Sequence, residues 1–245
     1  MKLHKSTKKR VLRVLIALCV LIPVSAGASI AWNHLRNRPC TQVRLHGVQY
    51  TDRAVLKALI SDTMDAQIVA DRLRRHPWVR SSRAACYVTG TLNVWIDERV
   101  PRALVLTPGE APDYYVDRVG FMMPLDALIA FDVPVVHGVS EPYRPLKPVE
   151  DPGMRTLLAL LPNLDASTDS LISELVFDGS ELVVITCPTP AGPVARVHLG
   201  RNEWHKRLTW LNAFWKQQIL AHPYRRYERI DLRFEGQIIT EEKPA

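Results

Sequence analysis

The sequence predicts an α+β protein with a single N-terminal transmembrane helix, a small β-α-α-β-β domain and a larger β-sheet domain with packed helices. A stretch of nineteen uncharged residues, Val14–Trp32, predicts the membrane helix. Residues 76–103 open on a His-Pro pair, which ends a helix, and then predict a β-hairpin. In its second strand Leu92, Val94 and Ile96 alternate with polar residues. The predicted boundaries are a basic tail at 1–10, the membrane helix at 11–32, the small domain at 40–101, the β domain at 102–240 and a tail at 241–245.

The net charge of +7 belongs to the N-terminal tail. Residues 1–13 hold six Lys or Arg and no acidic residue, and the rest of the chain holds 26 basic and 25 acidic residues. This balance argues against a nucleic acid as partner. A basic tail before a membrane helix predicts that the N-terminus lies in the cytoplasm and the bulk of the chain outside it.

A cleaved signal peptide is the alternative interpretation of the N-terminus. Pro23 and the small residues Ala26–Ala28 resemble the end of a signal sequence and its cleavage site. The uncharged stretch is long for a signal core, and Trp32 at its far end is typical of a membrane interface. We expect the anchor, with a secreted binding module as the competing possibility.

The four cysteines predict no complete disulfide framework. Cys19 lies in the membrane segment, which leaves Cys40, Cys86 and Cys187 for an oxidising compartment. Three is an odd number, so at least one has no partner in the chain. Cys40 and Cys86 fall in the small domain and could pair, but we expect buried free thiols.

The small domain is predicted from a regular succession of periodic segments. Thr51 is the expected N-cap of its first helix. The predicted elements are a strand Gln42–Val48, helices Asp52–Ile60 and Asp65–His76, and strands Ser82–Val88 and Thr91–Asp97.

The rest of the chain predicts a β-rich domain. A proline-rich linker at residues 141–152 and the clearest amphipathic helix, residues 201–221, divide it. The predicted elements are strands Tyr114–Asp117, Gly120–Pro124 and Phe131–Val139, helix Met154–Leu161, strands Leu171–Asp178, Glu181–Cys187 and Val194–Leu199, and a last strand Arg229–Thr240.

No catalytic or metal motif appears in the sequence. There is no HExxH helix, no paired CxxC, no Walker loop, and Gly179-Ser180 does not form a GxSxG elbow. We therefore expect no enzyme activity, no metal and no cofactor. A protein that holds other proteins is the remaining class.

The order of the motifs resembles the FtsQ/DivIB family of bacterial cell-division proteins. Each motif alone is weak, but six occur in the family's order behind one predicted anchor. The resembling residues are His76-Pro77-Trp78-Val79, Leu92–Ile96 with Glu98-Arg99-Val100-Pro101, Val116-Asp117 with Gly120, Val133-Pro134-Val135 with Gly138, Leu199-Gly200, and Ile230-Asp231-Leu232-Arg233.

The resemblance implies a non-enzymatic scaffold at the division septum, held in the cell inner membrane. The small domain would be a POTRA domain, and FtsB- and FtsL-type single-pass coiled-coil proteins would be the partners. The family binds the FtsB-type partner through its last strands, which implies the following residues here: Arg229, Ile230, Asp231, Leu232, Arg233, Phe234, Glu235 and Gln237.

Two points stay open at the level of sequence. The last strand could lie at a sheet edge, where it would pair with a partner segment, or it could be paired on both sides. Arg72, Arg74 and Arg75 on the second helix of the small domain could contact partners or form a solvated face.

Overall fold

The computed structural model describes residues 21–33, 40–60, 65–87, 89–109, 113–125, 129–188, 194–222 and 225–242. Residues 21–33 form a helix, α1, and the first part of the predicted membrane helix lies outside the described residues. Within those ranges, no helix is both long and apolar enough to cross a membrane. The chain divides into two compact units, one of Met1–Arg74 with Ser81–Asp97, the other of Arg75–Arg80 with Glu98–Ala245.

Besides α1, the described part of the first unit contains a three-stranded sheet and two short helices. Its strands lie in the order β1-β3-β2, and β1 runs parallel to β3. The N-cap of the first of these helices is Asp52, which accepts a hydrogen bond from the amide of Ala54, and not Thr51 as expected. The elements are β1 (Gln42–His46), α2 (Arg53–Ala58), α3 (Ala66–Leu73), β2 (Val79–Cys86) and β3 (Thr91–Glu98).

The helices of the first unit cover one face of this sheet. Leu56, Val69 and Leu73 are fully buried on the helices, and Val94 is fully buried on β3. The Ser82 hydroxyl donates to the carbonyl of Ala70 at 2.6 Å, which ties β2 to α3. The alternation in β3 therefore identified its buried face correctly.

Cys40 and Cys86 are joined in a disulfide, and the expectation of free thiols was wrong. Their Cα atoms lie 6.1 Å apart, although the residues are separated by 46 positions in sequence. The pairing of β1 with β3 brings the start of β1 beside the end of β2, and nothing in the local sequence pattern indicates that proximity. Cys187 is a free, half-buried cysteine.

The second unit is built on one nine-stranded sheet. Its strand order is β12-β11-β10-β9-β8-β7-β4-β5-β6. The strands are β4 (Pro101–Val105), β5 (Tyr114–Asp117), β6 (Met122–Pro124), β7 (Val135–His137), β8 (Ile172–Asp178), β9 (Glu181–Thr186), β10 (Arg196–Gly200), β11 (Tyr227–Asp231) and β12 (Ile239–Glu242).

Three helices accompany this sheet. They are α4 (Pro152–Leu160), the short α5 (Ala166–Asp169) and α6 (Trp204–Phe214), which continues as a π-helical turn over Trp215–Ile219. Leu157, Leu208 and Leu211 on these helices are buried against the sheet residues Val184 and Val197. The α+β class with two sheets and several helices is thus confirmed.

Two details of the second unit differ from the prediction. Pro152 is the first residue of α4 rather than the end of the linker, a position that suits proline because the first helical amide needs no partner. The strand β4 was not predicted. It begins at Pro101, and the first residue of a strand is a position where a missing amide is tolerated.

Candidate partner-binding surface

The last two strands of the sheet form a surface that differs from the expected single edge strand. Strand β11 ends at Asp231 and is paired on both sides, parallel to β10 and antiparallel to β12. The prediction of one strand over Arg229–Thr240 was therefore wrong, and of the two arrangements left open by the sequence, β11 has the one that is paired on both sides. The edge position belongs to β12, which is the terminal strand of the sheet order.

The eight residues named from the sequence fall into three environments. Some are core residues, some are half-buried on the sheet surface, and some are exposed in the turn that joins β11 to β12. Ile230, Asp231 and Leu232 are buried, Arg229 and Arg233 are half-buried, and Phe234, Glu235 and Gln237 are exposed.

An ion-pair network crosses the sheet surface opposite the core. The Arg233 guanidinium donates to Asp231 at 2.6 Å and to Glu181 of β9 at 3.2 Å. Arg229 lies 3.6 Å from Asp231 and 3.6 Å from Glu241 of β12. The hydrogen bond from Arg233 lowers the pKa of the Asp231 carboxyl below its usual value. Both arginines therefore brace β9, β11 and β12 against one another.

His198 of β10 lies next to this network, in register with Asp231. Burial lowers the pKa of His198, and the neighbouring cations Arg229 and Arg233 add to the effect. A neutral imidazole is therefore favoured in the folded protein. The sequence named its neighbours Arg229, Asp231 and Arg233 as site residues but assigned no role to His198.

The edge strand β12 has the sequence Ile-Thr-Glu-Glu. Ile239 is 46% exposed, and among the described residues no strand pairs with the outer side of β12. Glu241 and Glu242 form ion pairs with Arg229 and Arg225 at 3.6 and 3.7 Å. Acidic side chains on a short edge strand discourage indiscriminate pairing with other edges.

A groove of about 440 Å³ adjoins this edge. Trp210 and Phe214 of α6 form one wall, and Gly236 and Ile238 of the β11–β12 turn form the other. Lys206 of α6 stabilises the turn through an ion pair of 3.2 Å with Glu235, and its ammonium lies 5.0 Å from the centre of the Trp210 ring. The groove thus offers apolar surface at the turn that leads into the edge strand β12.

Sequence reasoning missed β12 and this groove. The signal available was Gly236, a turn residue between two alternating runs, which adopts φ of 71° in the structure. The run Arg229–Thr240 was treated as one strand because its first half alternates so regularly.

The arginines proposed on the first unit's second helix are exposed. Arg72 lies on α3 and Arg74 is its C-cap, where it forms an ion pair with Asp71. Arg75 follows directly and is assigned to the second unit. No contact distinguishes these residues from an ordinary solvated face, and their role as a binding site stays a prediction.

The described residues also contain no group of three or more His, Cys, Asp or Glu side chains able to hold a metal ion. A larger cavity of the second unit, about 710 Å³, is lined by Asp151, Phe177, Glu203 and Trp204. Asp151 is occupied in capping α4, since it accepts a hydrogen bond from Met154 N at 2.7 Å. The presence of Asp151 in this cavity is therefore explained by its role as the N-cap of α4.

Comparison with known proteins agrees with the resemblance drawn from the motifs. Residues 101–241 match the family model described as FtsQ/DivIB, C-terminal related. The cell division protein FtsQ of Rhodothermus marinus is 36% identical over 245 residues, which cover 96% of this chain and 88% of the relative. FtsQ of Salinibacter ruber is 32% identical, with 96% of this chain and 95% of the relative covered.

A third relative, the cell division protein FtsQ of Geotalea daltonii, is 28% identical over 70% of this chain and 62% of its own length. The family model covers more than half of the chain and includes the groove, the Arg229 and Arg233 ion pairs and all of the edge strand except Glu242. The motif-based resemblance is confirmed: this chain belongs to the FtsQ/DivIB family of cell-division proteins.

Proposed function

We propose that this protein is a non-enzymatic divisome scaffold that recruits FtsB- and FtsL-type single-pass coiled-coil proteins to the septum. It would link early cytoplasmic division components to late extracytoplasmic ones. The first unit serves as its POTRA domain and the second as its β domain. Family membership supports the division role, and the partner-binding mode follows from the edge of the nine-stranded sheet.

The proposed location is the inner membrane at the septum, with the N-terminus in the cytoplasm. Val14–Trp32 provides an uncharged segment of membrane-spanning length behind a basic tail. The disulfide between Cys40 and Cys86 supports an extracytoplasmic location for the first unit, because such bonds persist in oxidising compartments.

The outer edge of β12 is the observation that carries the partner-binding proposal. An edge strand offers amide and carbonyl groups to an added strand, and this mode of binding takes its affinity from backbone hydrogen bonds. Arg229 and Arg233 support that edge without forming it, because their ion pairs hold β11 and β12 in register with β9. The exposed residues Phe234 and Glu235 lie in the turn that leads into β12.

Side chains next to the edge give the added strand its selectivity. Glu241 and Glu242 favour a partner strand with Lys or Arg opposite them, as cross-strand pairs of opposite charge stabilise a sheet. The groove beside Trp210 and Phe214 suits an apolar residue of the same partner. The proposed partner segment is therefore extended, basic and apolar at one anchoring position.

Site-specific photocrosslinking in living cells tests this surface. Probes at Ile239 and Glu241 on β12 and at Glu235 in the turn should crosslink to a small coiled-coil membrane protein. A probe at the exposed Lys147, in the same unit, serves as the matched control. A further probe at Arg74 tests the first unit. If only this probe gives crosslinks, the main interface lies on the first unit and the proposed role of β12 is wrong.

A pair of proline variants separates the edge from the fold. Successive residues of a strand direct their amides to opposite sides of the strand. Of Thr240→Pro and Glu241→Pro, one variant therefore removes an amide that faces outward from the sheet. The other removes an amide that donates a hydrogen bond to β11. We expect one variant that is folded yet loses the partner, measured by pull-down together with circular dichroism. Retention of the partner by both folded variants would contradict β-augmentation.

The alternative is a secreted binding module released by cleavage near Ala28. The small residues at positions 26–28 favour it. N-terminal sequencing and membrane fractionation distinguish the two. A full-length chain in the membrane supports the scaffold, and a soluble chain that begins near Ser29 supports the module.

A further inference from the structure

The hairpin turn between β2 and β3 is fixed to the point where the chain enters the first unit. Cys40 is bonded to Cys86 at the end of β2. The amides of Thr41 and Gln42 both donate to the carbonyl of Gly90, at 2.8 and 3.2 Å. These three links hold the turn beside Cys40, Thr41 and Gln42, the first described residues of the small domain.

The length of chain before this point limits its distance from the proposed membrane anchor. Eight residue steps separate Trp32 from Cys40. A fully extended chain of this length spans at most about 28 Å. Because the turn is fixed at Cys40, it is restricted to the layer next to the membrane surface. This step rests on the proposed anchor.

The surface around the turn has the composition of a membrane-contacting site. Tyr87 is 50% exposed, and tyrosine is enriched where protein meets the headgroup layer. Arg44 on β1 and Arg83 on β2 are exposed as well. Arg44 pairs in register with Asn93, next to the inward-facing Val94, which places Arg44 on the sheet face away from the helices.

The strand residues near this turn include no acidic residue. Residues 40–46 and 81–94 contain no Asp or Glu. The carboxylates described in the first unit lie on or next to its helices and at the far end of β3; they are Asp52, Asp65, Asp71 and Asp97. The sheet face next to the stem is therefore basic and carries one half-exposed aromatic ring.

We propose that this end of the first unit, Tyr87 with Thr89, Gly90, Arg44 and Arg83, rests on anionic phospholipid headgroups. Tyr87 enters the headgroup layer, and the guanidinium groups of Arg44 and Arg83 bind lipid phosphates. Arginine suits a phosphate because its guanidinium can donate two parallel hydrogen bonds to the phosphate oxygens. The contact fixes the height and orientation of the first unit at the membrane. The disulfide supports it by keeping the turn at the stem.

The test uses the full-length chain in lipid nanodiscs with a benzoylphenylalanine photoprobe at position 87. The matched control carries the probe at the exposed Ser81, six residues back along β2 from Tyr87 and thus about 20 Å from the turn. Adducts with phospholipid are measured by intact mass. Because interfacial insertion reaches only about 5–10 Å, we expect roughly tenfold more adduct at position 87 than at position 81.

The headgroup charge is tested by changing lipid and protein in parallel. Nanodiscs of phosphatidylcholine alone should give several-fold less adduct at position 87 than nanodiscs that also contain phosphatidylglycerol. The double variant Arg44→Gln/Arg83→Gln should abolish that difference. A yield that depends on neither the lipid charge nor the arginines would overturn the headgroup contact.

The outcomes also separate this inference from the proposed scaffold. Equal adduct yields at positions 87 and 81, with the chain retained in the nanodisc, overturn the membrane contact and leave the anchor intact. A chain that does not remain in the nanodisc overturns the anchor and with it the contact. Partner crosslinking at β12 is measured independently of both.

Discussion

The Arg99 guanidinium and the Asp117 carboxylate form a buried ion pair with a distance of 2.7 Å between Nη1 and Oδ2. The side chains are only 8% and 5% exposed. The other carboxylate oxygen of Asp117 accepts the amides of Val119 and Phe121, and the guanidinium lies 4.0 Å from the centre of the Phe121 ring. The pair thus joins the segment that leaves β3 to the β5–β6 turn, and it explains why both residues stand in family-like motifs.

Removal of the Asp117 carboxylate should strongly destabilise the second unit. Asp117→Ala leaves the Arg99 charge buried without its partner and removes the acceptor for two turn amides. Such losses cost about 3–5 kcal/mol of unfolding free energy. Urea denaturation followed by tryptophan fluorescence measures the change.

Two further variants identify the cause. Asp117→Asn keeps an oxygen for the turn amides and loses the charge. Its free energy of unfolding should therefore lie between those of Asp117→Ala and the unaltered chain. Arg99→Met combined with Asp117→Asn should recover part of the loss. Equal stability of Asp117→Ala and the unaltered chain would show that the pair contributes nothing.

Gly138 should not tolerate a side chain. It follows β7 with φ of 82°, and a Cβ atom there would lie 2.1 Å from the carbonyl oxygen of Phe177 on the neighbouring strand. Left-handed strain and overpacking together should cost Gly138→Ala at least about 3 kcal/mol of unfolding free energy. Thermal denaturation provides the measurement.

Gly179 is the matched control for this substitution. Its φ is 61°, and a Cβ atom added there would have no neighbour within 4 Å. Gly179→Ala should therefore show the conformational strain alone, about 1–2 kcal/mol. If the two variants lose the same stability, the close approach at Phe177 is not what restricts Gly138.

Loss of the Cys40–Cys86 disulfide should destabilise the first unit selectively. The bond closes a loop over a sequence separation of 46 residues, for which chain entropy gives about 4 kcal/mol. Hydrogen–deuterium exchange of Cys86→Ser should show faster exchange in β1 and β3 and unchanged exchange in the second unit. Cys187→Ser, which removes a free thiol, is the control, and identical exchange in both variants would contradict the prediction.

Mild acid should weaken the folded second unit through His198. Burial and the cations Arg229 and Arg233 lower its pKa below the usual 6.5, against the weaker opposite effect of Asp231 and Glu181. At a pH between the lowered pKa of His198 in the folded protein and 6.5, its pKa in the unfolded chain, only the unfolded chain binds the proton. The free energy of unfolding therefore falls as the pH drops below 6.5.

His198→Gln should reduce this pH dependence. The burial of His76 lowers its pKa too, so part of the slope should persist in the variant. Urea denaturation between pH 7.5 and pH 5 measures the slopes, with His205→Gln on the exposed side of α6 as the control. An unchanged slope in His198→Gln would place the acid sensitivity elsewhere.

The sequence by itself determined the elements whose signals are local. Alternation identified β3, and the Asp-Gly turn identified the β8–β9 hairpin. The spacing of Trp204, Leu208 and Leu211 identified α6 and its buried face. These signals succeed because strand and helix periods decide which side chains can be buried together. The order of the motifs was also sufficient to predict the family.

Only the tertiary structure decided which strand is the edge and which cysteines meet. The β12 edge depends on the parallel pairing of β11 with β10 and on the turn at Gly236, and the disulfide depends on β1 lying beside β3. Such pairings join residues far apart in sequence, and the alternation of a strand is the same whether its edges are free or paired. The partner-binding surface therefore could be placed near the C-terminus from the sequence, but its free edge is a property of the assembled sheet.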